Sequence, residues 1–175
     1  MFARILVPLD GSETAARALP VAREVAQNFN GRLVLLQGIS QLLDWHHNLR
    51  APTDAADSSD LEERVVHAAR TRLGRVALGV RGVQVDIDVR LGRPVEAICQ
   101  AAAEYGCTLI CLAAHGPGHS RLAGTATDRH HPIHWTLGGI SDRIVHASPV
   151  PVLLVRAEQR SQAEPAAVFA GTRHG

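Results

Sequence analysis

Ala3–Arg4–Ile5–Leu6–Val7–Pro8–Leu9–Asp10–Gly11–Ser12 is the stretch from which the fold is read. Its branched aliphatics make a run of strand length, and Asp10, Gly11 and Ser12 then turn the chain. Helical period follows from about Glu13 to Asn28, with Asp10 or Ser12 as N-cap. Pro20 falls inside that helix and should kink or loosen one turn. Asn30-Gly31 closes it, and Leu33 to Leu36 reads as a second buried strand.

Outward from this unit the same alternation recurs. Residues Ser40 to Ser59 are polar and irregular and read as a loop. A helix from about Asp60 to Ala77 follows, with Leu61, Val65, Ala68, Ala69 and Leu73 on one face. Val83, Val85, Ile87 and Val89 alternate with polar residues, as in a strand with one solvated face, which accounts for Asp86 and Asp88 without chemistry. Pro94 suits the first turn of a helix running to Tyr105 and ended by Gly106. Thr108 to Ala114 is apolar almost throughout, which predicts a central strand. After a Gly/His-rich segment from His115 to Thr136, a helix from Gly139 to His146 should carry Ile140, Ile144 and Val145 inward. Ser148-Pro149 stops it. Val150 to Val155 is the last strand, and Pro151 assigns it to a sheet edge or marks its start. Strands and helices in this order predict an α/β protein with one doubly wound parallel sheet and helices on both faces. No internal repeat or second domain is visible. The tail after Arg156 reads as loose and polar.

Composition narrows the function. The chain has 175 residues, of which 46% are hydrophobic and only 3% aromatic, so its core is built from Val, Leu, Ile and Ala. The formal net charge is +1 with no basic stripe, so nucleic-acid binding lacks its electrostatic footprint. Every basic side chain is Arg, which excludes a Walker-A or Schiff-base Lys. Cys99, Cys107 and Cys111 match no zinc spacing and read as buried free thiols. The first apolar run is too short for a signal peptide and no stretch reaches membrane-spanning length, so a cytoplasmic address is expected.

In an open doubly wound sheet, ligands sit outside the carboxyl ends of strands where strand order reverses. If strand one lies between strands two and four, that crevice falls between Asp10 and the segment starting at His115. Asp10 offers a carboxylate to a sugar hydroxyl. Gly116 and Gly118 let backbone approach a ligand, and Gly138-Gly139 opens a helix whose free N–H groups favour an anion.

Val7-Pro8-Leu9-Asp10-Gly11-Ser12 resembles the opening of universal stress proteins, the UspA-like group. Leu112-Ala113-Ala114-His115-Gly116 and Leu137-Gly138-Gly139-Ile140-Ser141-Asp142-Arg143-Ile144 resemble that family's nucleotide loop and the helix after it. Ser148-Pro149-Val150-Pro151-Val152-Leu153-Leu154-Val155 is similar to its last strand. The resemblance implies a five-stranded sheet in the order 3-2-1-4-5, frequent homodimers, and stress-related roles that are rarely enzymatic. It covers about residues 1–156, with a long loop insertion at about 117–136, and leaves 157–175 as a tail. By the family's pattern G-x-x-G, nine residues, G-[ST], the nucleotide-binding positions would be Pro8, Leu9, Asp10, Gly38, Leu112, Ala113, Gly116, Gly138, Gly139 and Ile140.

Three departures stand out. Ala113 replaces the first Gly, Gly139 replaces the Ser/Thr, and twenty-one residues rather than nine separate Gly116 from Gly138. The expected ligand is ATP or a related adenine nucleotide, with Mg2+ arriving on its phosphates, bound as a regulatory signal; no catalytic residue is expected, and at most slow hydrolysis. The alternative is an interaction module that has lost nucleotide and acts through dimerisation and the inserted loop. His115, His119, His130, His131 and His134 cluster there, but Pro132 opposes a regular helix and Asp128 is the one acid nearby, so no metal site is expected. Arg121 and Arg129 with these histidines could close over a phosphate. Val150, Val152 and Leu154 on the last strand predict a two-fold dimer through that edge.

Overall fold

The computed structural model describes residues 1–39, 55–115 and 139–157. In chain order the elements are β1 (Arg4–Pro8), α1 (Glu13–Ala16), α2 (Ala18–Asn28), β2 (Arg32–Ile39), α3 (Ala55–Gly79), β3 (Gln84–Leu91), α4 (Pro94–Glu104), β4 (Leu109–His115), α5 (Gly139–Ala147) and β5 (Val152–Ala157). The five strands form one all-parallel sheet in the order β3-β2-β1-β4-β5. β1 is therefore the central strand and β4 is interior beside it. A sheet covered on both faces needs apolar residues at every position of its inner strands, hence the unbroken runs of β1, β2 and β4.

Alternation along the strands divides the core in two. Ile5, Val7, Leu33, Leu35 and Cys111 face Ala18, Ala22 and Ala26 of α2 and Leu73 of α3. Leu6, Val34, Leu36, Ile110 and Leu112 face Val95, Ile98, Ala101 and Ala102 of α4 and Ile144 of α5. Small alanines on α2 and α4 let those helices lie close to the sheet.

Several local expectations need correcting. The first helix is broken, not merely kinked: α1 ends at Ala16 and α2 starts at Ala18. A proline ring clashes with the carbonyl four residues earlier, so Pro20 acts one turn upstream, at Ala16. α3 begins at Ala55, ahead of the expected Asp60, because Ala55–Ser59 carries no apolar period to reveal it. α5 buries Ile144 at 1% exposure, but Ile140 and Val145 are 49% and 39% exposed. β3 is an edge strand with no fully buried residue. Its polar face is not simply solvated, since Asp88 pairs with Arg90 at 2.7 Å and Arg90 with Glu104 of α4 at 2.6 Å. Pro151 lies just before β5, and its carbonyl accepts from the Ile110 N–H at 3.0 Å. The remaining expectations for 40–54, 116–138 and 158–175, including the histidine cluster from His119 to His134, lie outside the described residues.

Candidate functional site

β1 and β4 pair only at Ile5↔Leu109 and Leu6↔Ile110, whereas β2 and β3 stay in register to Ile39↔Leu91. On its other side β4 follows β5 to His115↔Ala157. The two central strands therefore separate towards their carboxyl ends, and Pro8 has no N–H to offer across the gap. This is the strand-order reversal where an open α/β sheet makes its crevice.

A cavity of about 280 Å³ occupies that crevice. Pro8, Leu9 and Asp10 border it from the end of β1, Gly38 from β2, and Leu112 and Ala113 from β4. Gly139 and Ile140 border it from the start of α5. These expected positions are brought together from four separate parts of the chain. Gly116 and Gly138 lie outside the described residues.

Ala15, Pro94, Ile98, Ser141 and Ile144 also line the cavity, and the sequence reading did not single them out. Helical spacing contains the signal. Pro94 and Ile98 are four apart on α4, and Ser141 and Ile144 three apart on α5, so each pair shares one face. Once α4 and α5 are assigned to the same side of the sheet, those faces must look onto the carboxyl end of β4.

The turn after β1 is built locally. The Asp10 carboxylate accepts from the Ser12 N–H at 2.8 Å, and the Ser12 hydroxyl accepts from the Ala15 N–H at 3.0 Å, capping α1. Gly11 sits at φ +85°, a conformation costly for any residue with a Cβ. A side chain there would also meet Arg72 of α3, whose Nη1 lies 2.9 Å from the Cβ position. Asp10 thus engages one carboxylate oxygen in the turn.

The lining is apolar at its base, through Leu112, Ile98 and Ile144. Among the described lining residues, Asp10 is the one charged side chain and Ser141 the one side-chain hydrogen-bond donor. An anion would therefore be held by backbone N–H groups of the first α5 turn. Asp142, in the same turn, faces His146 at 3.7 Å. Gln37 is buried with an unpartnered Oε1, but strand alternation puts it on the opposite face from Gly38. Among the described residues no cluster of three or more His, Cys, Asp or Glu could hold a metal ion. No described helix is long and apolar enough to cross a membrane.

The universal stress protein family model matches residues 1–156. The chain belongs to the universal stress protein family. The Thermus aquaticus protein named Universal stress protein in QAH/OAS sulfhydrylase 3′region is 34% identical over 157 residues, 89% of this chain and 100% of that protein. Among solved structures, UspA from Lactobacillus plantarum shares the fold with a TM-score of 0.64 at 21% identity. The match covers 89% of this chain and 98% of that one. A universal stress protein in complex with cAMP matches with a TM-score of 0.55 at 19% identity, over 90% and 98% of the two chains. The all-parallel order β3-β2-β1-β4-β5 expected from the family resemblance is the one observed here.

Proposed function

We propose that this universal stress protein binds ATP or a related adenine nucleotide in the β1–β4 crevice, as a regulatory ligand in a stress response. The observation that supports this most strongly is the meeting of Asp10, Gly38, Leu112 and the start of α5 around one cavity where the central strands part. The apolar base suits a planar base, Asp10 suits ribose hydroxyls, and the first-turn amides of α5 suit phosphate. Small-molecule sites usually span about 300–1,000 Å³. A cavity near the lower end of that range takes the nucleoside and leaves the phosphates at the mouth, beside Gly139. Mg2+ would arrive on those phosphates. The solved relative in complex with cAMP is a universal stress protein too; at its low identity it speaks for the fold, so the ligand class here rests on this chain's own lining.

The role we propose is binding as a signal, carried by Asp10 and the first-turn amides of α5. Gly116 and Gly138 would complete the phosphate cradle.

Titration calorimetry with ATP and Mg2+ on the parent chain and on Gly139→Asp tests the reading. Among the described residues nothing lies within 4 Å of a Cβ built at Gly139, so the aspartate has room beside them. A carboxylate in the first turn stabilises a helix by about 0.3–1 kcal/mol, so the variant should fold at least as well as the parent. It should repel phosphate. Saturable binding by the parent and none by the folded variant is expected. A parent that binds no nucleotide would overturn the reading in favour of an interaction module.

A further inference from the structure

We propose that Arg72 of α3 is a positioning residue for Asp10: its side chain holds the Gly11 turn in the shape that presents the Asp10 carboxylate to the crevice. What Asp10 then binds rests on the nucleotide reading above. Gly11 sits at φ +85°. Glycine takes positive and negative φ about equally well, so nothing in Gly11 itself fixes that value. A turn free to change φ there would carry Asp10 with it. Two hydrogen bonds restrain the turn, from the Ser12 N–H to the Asp10 carboxylate at 2.8 Å and from the Ala15 N–H to the Ser12 hydroxyl at 3.0 Å. Both run within Asp10 to Ala15, and neither ties the turn to the rest of the molecule.

Arg72 supplies that tie. Its Cδ and Cζ lie 3.6 and 3.7 Å, and its Nη1 2.9 Å, from the point where a Cβ would stand on Gly11. The guanidinium end thus covers the bare side of the Gly11 Cα, where other residues carry a side chain of their own. The base of Arg72 is fixed, because Leu73 beside it is 1% exposed and packs in one core cluster with Ile5 and Val7 of β1. A helix anchored in the core therefore reaches over the end of β1 to the turn that carries Asp10. Arg72 does not border the cavity itself, so it acts through the turn and not on the ligand. Order present before the ligand arrives is a cost that binding is spared.

Arg72 is exposed and alanine is a strong helix former, so Arg72→Ala should fold as the parent does. The test compares the two by 15N relaxation without ligand and by titration calorimetry with ATP and with adenosine. In the variant the amide order parameters of Gly11 and Ser12 should fall from about 0.85 towards about 0.6, with those of β1 unchanged. ATP and adenosine should both bind about fivefold more weakly, because each loses the same ordered carboxylate. Loss for ATP alone would make Arg72 a charge acting on the phosphates, and unchanged order parameters would mean that the turn holds itself. Lower order parameters with unchanged affinities would mean that the order does not serve binding. Each of these overturns the proposal and leaves the nucleotide reading standing. If the parent binds neither ligand, the nucleotide reading fails, and the order parameters alone decide whether Arg72 holds the turn.

Discussion

Burial decides what the three thiols can do. Cys111 on β4 is fully buried, its Sγ 3.8 Å from the Ala18 carbonyl oxygen, and burial pushes its thiol up to about 12. Cys107 is pushed up to about 11 by the same cause, against a smaller pull from Arg4, and burial raises Cys99 as well. Thiolates are the reactive form, so Cys107 and Cys111 are inert core residues, whereas Cys99, expected to be buried, is only partly so. The neutral thiols are favoured in the fold, so their contribution to stability is whole below the ordinary value of 9.0 and is lost as pH rises through about 11 and 12. A thiol reagent at pH 8 should therefore label Cys107 and Cys111 only in denaturant; rapid labelling of the native protein would contradict their burial. At this scale Asp10 was legible because it ends the first apolar run at a turn, whereas Gly38 and Leu112 were expected only through the family resemblance. Ser141 was neither, because a serine among Gly139, Ile140, Asp142 and Arg143 looks like a solvated helix start. Its burial follows from which face of α5 meets β4, and sequence alone leaves that rotation open.

Among the elements, strands were easier to read than helix limits. Inner strands of a parallel sheet are apolar on both faces, so their runs are bounded by the turn residues themselves. Helix boundaries depend on caps and on sterics one turn away, which is why the break at Arg17 lies upstream of Pro20. α2 does end where the sequence says: Asn30 adopts φ 50°, and the Gly31 N–H donates to the Ala26 carbonyl at 2.8 Å, closing the helix. The rotation of α5 was misjudged for Ile140 and Val145. With nine residues it offers too few turns for its apolar positions to fix one face, and Ile144 alone anchors it. α1 is shorter still, so its Ser12 cap matters more. Ser12→Ala should cost about 1 kcal/mol, read as a lower denaturation midpoint. It should also weaken nucleotide binding, because the cap orders the turn that presents Asp10. A variant with an unchanged midpoint would show that the cap bond contributes nothing.

The whole molecule is arranged by its strand order. Placing β1 between β2 and β4 puts the β1 turn and the start of α5 on opposite sides of one gap. Counting strands and helices predicts the parallel sheet but not which strand is central; that placement came from the family resemblance, and the cavity's size and the contribution of α4 were not legible at all. The same order leaves β5 at a sheet edge, with Val150, Val152 and Leu154 only partly buried. We expect a two-fold dimer through this edge; sedimentation equilibrium should give twice the chain mass, and a monomer at all concentrations would contradict it. The proposed nucleotide site is the gap between β1 and β4. It is tested most directly by backbone amide chemical shifts of the 15N-labelled protein during titration with ATP and Mg2+. Saturable shifts concentrated at Leu9, Asp10, Gly38, Gly139, Ile140 and Ser141 are expected. Shifts confined to other surfaces, or none at a large excess of ATP, would contradict it.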